Sequence, residues 1–220
     1  MKKIPCLFVR TFHGKSSFTI TEEVTPGCEW VLAGEGIATR KWDGTACAVI
    51  GGVLHKRYDC KKDRKTGEYK VPPPGAVPCD APDPETGHWP HWVPVGEGPE
   101  DQHHRAAWER DRERRWDTPL GNVMADGTYE LVGPHFQGNP EVCETDRFVP
   151  HGAEPLGFCA ISGIPKEGRT FERLREFLRC FQGEGIVFHH PDGRMAKIRR
   201  ADFGFPWGRS PAGSGGGDKK

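Results

Sequence analysis

The residues best suited to chemistry lie in the stretch ATRKWDGTACAVI, residues 38–50, where Lys41, Asp43 and Gly44 form the frame K-x-D-G. A lysine without its proton is a nucleophile, and burial or a neighbouring cation favours loss of the proton by lowering the pKa of an amine. Asp43 places a carboxylate two residues further on. Because so short a frame also arises by chance, its interpretation depends on the rest of the chain.

Two further segments offer carboxylates in strand-like surroundings. GTYELVGPHFQGNPE at 127–141 places Glu130 in a run that leads into a Gly-Pro turn, and GEGIVFHH at 183–190 places Glu184 at the start of another run. Either glutamate alone would be an ordinary surface residue. Together they contribute charges that a lysine nucleophile would need.

A third segment, MAKIRR at 195–200, supplies cations. Side chains alternate between the two faces of a strand, so Lys197 and Arg199 should project from one face. The preceding dipeptide 192–193 is Asp-Gly, a strong hairpin signal, which predicts that this strand pairs with the one after Glu184. Arg40 should point to the face opposite Lys41, which leaves Lys197 and a metal ion as sources of positive field.

Short apolar and β-branched runs predict the strands that position these residues. The runs are 6–9, 29–32, 45–50, 128–133 and 185–190. Gly51 and Gly52 predict a two-residue hairpin directly after the K-x-D-G segment.

Two helices and one long loop complete the outline. Apolar residues recur at helical spacing from Thr170, a suitable N-cap, to residue 181. The stretch 101–116 is charged nearly all round and predicts a solvated helix. The segment 71–99 is rich in proline and glycine and predicts a long loop.

Composition narrows the class of protein. The chain has 220 residues, 35% of them apolar, with zero formal net charge, so it can build a core and is not a general polyanion binder. We find neither an export signal nor an apolar run long enough to cross a membrane, and we expect a soluble, cytoplasmic protein.

The eight cysteines form no C-x-x-C pair, and we expect them to be reduced. Cys79 and the histidines that follow it, His88, His91, His103 and His104, could supply metal ligands. Their spacing fits no structural-zinc pattern.

The motif order as a whole is more specific than any part of it. K-x-D-G, then E-L-V-G-P-x-x-Q-G-N, then E-G-I-V-F, then K-x-R resembles the motif series of the covalent nucleotidyltransferases, which include RNA ligases, DNA ligases and mRNA capping enzymes. The IPCLFV start, K-x-D-G-T, and the PHGA stretch that includes His151 are similar to a family of small 5′-to-3′ RNA ligases with vertebrate members. The resemblance extends from Ile4 to Trp207, except over 71–99.

Two departures favour RNA ligases within that superfamily. Ala46 stands where DNA ligases and capping enzymes usually carry arginine, and Thr45 matches the serine or threonine that RNA ligases tend to have. DNA ligases and capping enzymes also carry an OB-fold domain after the last motif, and we expect none here. The resemblance implies an α+β fold, a covalent nucleotidyltransferase (ATP-grasp-like adenylation) domain with antiparallel sheets around an ATP pocket. We expect this domain at 1–208, with an insertion near 71–99 and a flexible tail at 209–220.

The resemblance also implies a reaction. Lys41 would attack the α-phosphorus of ATP to form lysyl-AMP, the AMP would pass to an RNA 5′-phosphate, and an RNA 3′-hydroxyl would then seal the strand. Lys197 and Arg199 would contact the α-phosphate, and Glu184 would hold Mg²⁺, for which Mn²⁺ could substitute.

The remaining site residues are implied in the same way. Glu130 would accept from a ribose hydroxyl, and Arg57 would contact the ribose or the terminal phosphate. Asp43 would orient the nucleophile or hold metal through water, beside Gly44 in the nucleotide-binding set. Phe148 would stack on adenine, or alternatively pack in the core.

Two alternatives remain open. A capping-type guanylyltransferase would use GTP rather than ATP, and an RNA-binding module would keep the fold without chemistry. The sequence does not indicate which RNA ends are joined beyond a 5′-phosphate and a 3′-hydroxyl, or the oligomeric state.

Overall fold

The structure is a computed structural model whose described residues form two compact units, each built from two stretches of the chain. The described residues are 3–14, 17–63, 65–83, 87–112, 125–152 and 168–208. We call the unit made of Met1–Lys3 and Asp43–His151 the central unit, and the unit made of Ile4–Trp42 and Gly152–Lys220 the terminal unit. The expected tail at 209–220 lies outside the described residues.

The terminal unit contains two small antiparallel sheets and two helices. In chain order its elements are β1 (Phe8–His13), β2 (Ser17–Val24), α1 (Glu29–Leu32), β3 (Ile37–Lys41), α3 (Phe171–Cys180), β10 (Gly185–His189) and β11 (Met195–Arg199). β1 pairs with β2, and a three-stranded sheet has the order β11-β10-β3. A 3₁₀ turn, Arg200–Phe203, follows β11.

One apolar face of α3 closes the core of this unit. The Thr170 hydroxyl caps the helix by accepting from Arg173 N at 3.3 Å, as its N-cap position predicts. Leu174 and Leu178, one turn apart, are fully buried in the same cluster as Ile198. Burying each such side chain contributes about 2 kcal/mol, and this core supports the three-stranded sheet from one side.

The central unit is built on one six-stranded antiparallel sheet. Its elements are β4 (Thr45–Ile50), β5 (Val53–Lys61), β6 (Val77–Pro78), β7 (His88–Pro94), α2 (Gln102–Arg112), β8 (Gly127–Val132) and β9 (Arg147–Pro150). The strand order is β6-β7-β5-β4-β8-β9. Ala107 of α2 shares a buried cluster with Cys47 and Leu131, so α2 covers one face of the sheet.

Several local predictions are confirmed. β4 and β5 form a hairpin in which Gly51 and Gly52 have φ of 57° and 75°, the left-handed conformations that a tight hairpin turn requires. β10 and β11 form a second hairpin around the 192–193 dipeptide. The fold is mixed, with antiparallel sheets and few helices, consistent with the expected α+β class.

Two local predictions are wrong. The run 29–32 forms the single helical turn α1 rather than a strand, because Trp30 and Val31 both bury into the core, and a short apolar run does not distinguish the two structures. The segment 71–99, expected to be a loop, contributes β6 and β7, and β7 pairs with β5 along seven residues. Pairing with a partner strand overrides a proline-rich local sequence.

The helix expected at 101–116 is α2, which ends at Arg112 within the described residues; residues 113–116 lie outside them. Among the helices of the described part of the chain, none is long and apolar enough to cross a membrane.

Candidate functional site

Lys41 is the last residue of β3, in the terminal unit, and the pairing of β3 with β10 determines its neighbour. Lys41 lies opposite Gly185, so Glu184 comes directly beside it. The Lys41 ammonium forms an ion pair with the Glu184 carboxylate and donates to the Trp42 carbonyl at 3.4 Å. The side chains are 23% and 12% exposed, so this charge pair is accessible on one side.

The cations of β11 join the same face of this sheet. Gly185 lies opposite both Lys41 and Arg199, and Val187 lies opposite Lys197. Since residues two apart share a face, Lys41, Lys197 and Arg199 project together. Gly185 has a structural reason to lack a side chain, because a Cβ there would lie 2.3 Å from the Ile198 carbonyl oxygen.

Arg40 lies opposite Ile186, one register step from Lys41, and therefore on the other face of the sheet. Its guanidinium stacks over the Trp42 ring at 4.4 Å. This placement agrees with the strand alternation of the sequence and leaves Lys197 and Arg199 as the cations beside Lys41.

The electrostatics of this face are dominated by positive charge. The pKa of Lys197 is lowered to about 8, first by burial and then by the charges of Lys41, Arg199 and Arg10, against the opposing effect of Glu184. No ion pair involves Lys197 within the part of the chain that the structure describes. The face therefore has unneutralised positive charge and is suited to an anionic ligand.

Two residues of this site were missed in the sequence. Asp202 is buried in the 3₁₀ turn after β11, and its carboxylate accepts from Arg10 Nη2 at 2.7 Å and from Arg199 Nη2 at 3.0 Å. It also accepts from Arg199 N at 2.8 Å. A buried carboxylate between two guanidinium groups fixes both of them. The R-x-x-D spacing at 199–202 was a local signal for one of these contacts, but nothing in the sequence pointed to Arg10.

Asp43 and Gly44 begin the central unit, and two glutamates hold their backbone. Asp43 N donates to Glu141 Oε1 at 2.9 Å, and Gly44 N donates to Glu130 Oε1 at 3.0 Å. A Cβ on Gly44 would lie 2.3 Å from the Leu131 carbonyl oxygen. Close backbone approach therefore accounts for the glycine of K-x-D-G.

Glu130 also pairs with a histidine from the PHGA stretch. His151 Nε2 lies 3.0 Å from Glu130 Oε2, and His151 Nδ1 lies 2.9 Å from the Thr128 hydroxyl. Glu130 is thus oriented by one backbone amide and one imidazole. His151 was quoted only as part of a motif, and the structure adds it to the residues of this site.

Arg57 shares a face of the six-stranded sheet with Glu130. Lys56 lies opposite Cys47, and Cys47 lies opposite Tyr129, so these three residues form one row across the sheet. The row is on the face that carries the buried cluster of Cys47 and Tyr129. Arg57 and Glu130 each come one residue after a member of this row, so both project from the other face.

Phe148 lies on the buried face instead. It is opposite Leu131, is 0% exposed, and packs edge-on against Tyr129 and Trp108. This geometry favours the core-packing alternative for Phe148 over stacking on adenine. The neighbouring Val149 lies opposite Glu130, and Arg147 lies opposite Val132, so these two residues of β9 are on the face of Glu130.

The expected site residues are thus distributed over the two units. Lys41, Glu184, Lys197 and Arg199 come together in the terminal unit. The central unit contains the others, which are Asp43, Gly44, Arg57, Glu130 and Phe148. The two residues expected to hold metal, Glu184 and Asp43, belong to different units.

Comparison with known proteins supports the resemblance seen in the motifs. The chain is 24% identical over 272 aligned positions to RNA ligase 1 of Rattus norvegicus, covering 94% of this chain and 82% of the relative. The chain resembles vertebrate RNA ligase 1. RNA ligase 1 of Mus musculus matches at the same identity, with 81% of that protein covered, and the Danio rerio protein is 34% identical over 92 residues, 40% of this chain and 27% of the relative. No family model matches.

Proposed function

We propose that this chain is an ATP-dependent RNA ligase that joins RNA 5′-phosphate and 3′-hydroxyl ends through a lysyl-AMP intermediate on a nucleotidyltransferase fold. The observation that carries the proposal is the cationic face of the terminal unit. Lys41, Lys197, Arg199 and Arg10 meet two carboxylates there, Glu184 and Asp202, which leaves an excess of positive charge suited to phosphate. The similarity to RNA ligase 1 over most of both sequences supports RNA as the substrate.

In the first step, Lys41 Nζ attacks the α-phosphorus of ATP, the bond to the β-phosphate oxygen breaks, and pyrophosphate leaves. Lys41 can attack only after losing its proton. In the structure its ammonium is paired with the Glu184 carboxylate, so this ion pair must separate before the attack.

The carboxylate of Glu184 fits a magnesium ion, because oxygen ligands that are partly accessible suit this metal and phosphates supply the rest. A bound magnesium ion would neutralise charge on phosphate oxygens. In that role Glu184 would no longer pair with the Lys41 ammonium. Lys197 and Arg199, the latter held by Asp202, hold the oxygens of the α-phosphate as charge shifts between them.

In the next two steps the AMP passes from Lys41 to an RNA 5′-phosphate, and a 3′-hydroxyl attacks the activated phosphate with release of AMP. Each step breaks one bond to phosphorus and forms another. In the central unit, Glu130 and Arg57 on their shared face would bind the ribose and phosphates of the nucleotide.

The testing experiment is the intact mass of the protein after incubation with ATP and magnesium, for wild type, Lys41→Ala and the exposed control Lys61→Ala. We expect one added AMP on wild type and on the control, and none on Lys41→Ala. An adduct on Lys41→Ala would refute the nucleophile.

Two further arms separate the alternatives. Labelling by GTP instead of ATP would indicate a guanylyltransferase. Binding of RNA with no adduct from either nucleotide would indicate an RNA-binding module. Sealing of RNA with a 5′-phosphate and a 3′-hydroxyl then tests the complete reaction.

A further inference from the structure

Three metal-ligating side chains converge in the central unit, apart from every residue used above for nucleotide transfer. We call His103, His135 and Asp146 the His-His-Asp cluster. His103 lies in the first turn of α2, His135 follows β8, and Asp146 directly precedes β9. One ligand atom from each lies within 4.8 Å of the others.

The geometry of the cluster is ordered around the carboxylate. His135 Nδ1 lies 2.7 Å from Asp146 Oδ2, and the His135 backbone N donates to Asp146 Oδ1 at 3.2 Å. The imidazole rings of His103 and His135 are nearly parallel, with centroids 3.6 Å apart. Asp146 is buried and His135 is exposed, so a solute can reach the cluster from the His135 side.

The backbone is shaped to bring the carboxylate in. Gly133 has φ of +147°, which L side chains rarely adopt, and a Cβ there would lie 2.3 Å from Asp146 Oδ1 and 2.4 Å from Asp146 Cα. The backbone at Gly133, two residues before His135, therefore packs directly against Asp146. The segments 133–135 and 146–147, whose ligands His135 and Asp146 are 11 residues apart in sequence, are thereby held in contact.

We propose that the His-His-Asp cluster binds one zinc ion. Two imidazole nitrogens and one carboxylate oxygen are ligands that zinc takes, with water in the remaining position. Magnesium prefers oxygen ligands alone, so this site and the one proposed at Glu184 differ in chemistry. With zinc–ligand bonds of about 2.0–2.2 Å, adjacent ligand atoms stand about 3.3 Å apart. His135 Nδ1 and Asp146 Oδ2 must therefore separate slightly from 2.7 Å as the ion enters.

A metal ion here would fasten the loop between β8 and β9 to α2. His103 and His104 of α2 contact His135 and Phe136 of this loop in turn. The same loop carries Glu141, whose carboxylate accepts from Asp43 N. Zinc would thus stabilise the β8–β9 loop, which holds Asp43 of the K-x-D-G turn through Glu141. It would not take part in the transfer of phosphate groups.

The test is a titration of the apo protein with cobalt(II) chloride under reducing conditions, monitored by the visible absorption of coordinated cobalt, followed by competition with zinc. We expect one cobalt ion per chain, displaced by zinc but not by millimolar magnesium. His103→Ala and His135→Ala should each weaken binding by about 100-fold or more, since loss of a supporting residue alone costs 10–100-fold.

The matched control is His88→Ala. His88 also faces a carboxylate, with Nδ1 3.5 Å from Asp59 Oδ2, but it belongs to no three-ligand group within the described residues. This variant should bind cobalt as wild type does, and thermal melting checks that all variants are folded. Equal binding by all four proteins, a thiolate-to-cobalt absorption band, or no stoichiometric binding by wild type would each overturn the proposal. None of these results depends on ligase activity.

Discussion

Lys197→Met should stabilise the protein without ligand while it impairs nucleotide transfer. Methionine has nearly the length of lysine and no charge. Among the cations of this face, Lys197 is the one whose charge is most unfavourable to the free energy of folding. Its pKa of about 8, against the ordinary 10.5, corresponds to about 3 kcal/mol of unfavourable free energy when the amine is protonated. This figure already includes the attraction to Glu184, and solvent screening of a side chain that is not fully buried reduces it, so we expect a gain of about 2 kcal/mol at pH 7.

The pH dependence gives the sharper measurement. Between pH 8 and 10.5 the unfolded chain holds a proton on Lys197 that the folded chain has lost, so this residue makes stability rise with pH. For wild type the contribution from pH 7 to pH 9 is about 1.3 kcal/mol, and the variant lacks it. The advantage of Lys197→Met should therefore shrink as pH rises. Other groups, including buried cysteines, titrate equally in both proteins and cancel in the difference.

The assay is thermal melting and urea unfolding of both proteins at pH 7, 8 and 9. At pH 7 the variant should melt about 4–8 °C higher. Lys56→Met is the matched control of opposite sign, because Lys56 pairs with the buried Asp101 and its loss leaves that carboxylate uncompensated, at a cost of about 3 kcal/mol. A Lys197→Met variant that melts at or below wild type at pH 7, or whose advantage is independent of pH, would refute the electrostatic reasoning.

Three further outcomes are expected. Gly44→Ala should lower the free energy of unfolding by about 2–3 kcal/mol, measured in urea, because its Cβ would meet the Leu131 carbonyl. Cys47 should resist iodoacetamide at pH 8 until the protein unfolds, as judged by peptide mass, since burial and then the charge of Glu130 raise the pKa of its thiol. Asp202→Asn should slow lysyl-AMP formation by about tenfold or more in single-turnover labelling, because it releases the guanidinium of Arg199.

Each of these has an internal comparison. Gly127→Ala, where the nearest atoms to a new Cβ are 3.9 and 4.0 Å away, should be close to neutral, and an equal loss in both variants would contradict the argument from close approach. The exposed Cys180 should be alkylated while Cys47 is not. Glu176→Gln, which breaks an exposed ion pair with Arg179, should leave labelling unchanged; if Asp202→Asn does the same, Asp202 does not position the arginine.

Features encoded over a few residues were accessible from the sequence, whereas contacts that join distant segments were not. The Gly51-Gly52 turn and the shared face of Lys197 and Arg199 follow from local chemistry and alternation. The contact between Lys41 and Glu184 depends on strand pairing across 143 residues, which no local pattern specifies. The motif resemblance assigned these two residues to one site, which physical reasoning from the sequence alone could not do.

Reasoning from the sequence was undecided or wrong where one residue of register or one tertiary partner decides the outcome. Phe148 and Val149 are adjacent, and only the pairing of β9 with β8 determines which of them shares a face with Glu130. In the same way, β7 is a strand because β5 is beside it. The His-His-Asp cluster was missed for a related reason, since its ligands come from three segments with no fixed spacing.

The strand that carries Lys41 has consequences for the order of events during synthesis. β3 pairs with β10 and with no other strand described here, so it has no partner in its sheet until β10 has been synthesised. The central unit, between β3 and β10 in sequence, can pair all six of its strands before then. Distant pairing of this kind forms late. A nascent or truncated chain that lacks β10 would hold the candidate nucleophile without Glu184 beside it, and reactivity toward nucleotides would begin only after β10 has been made.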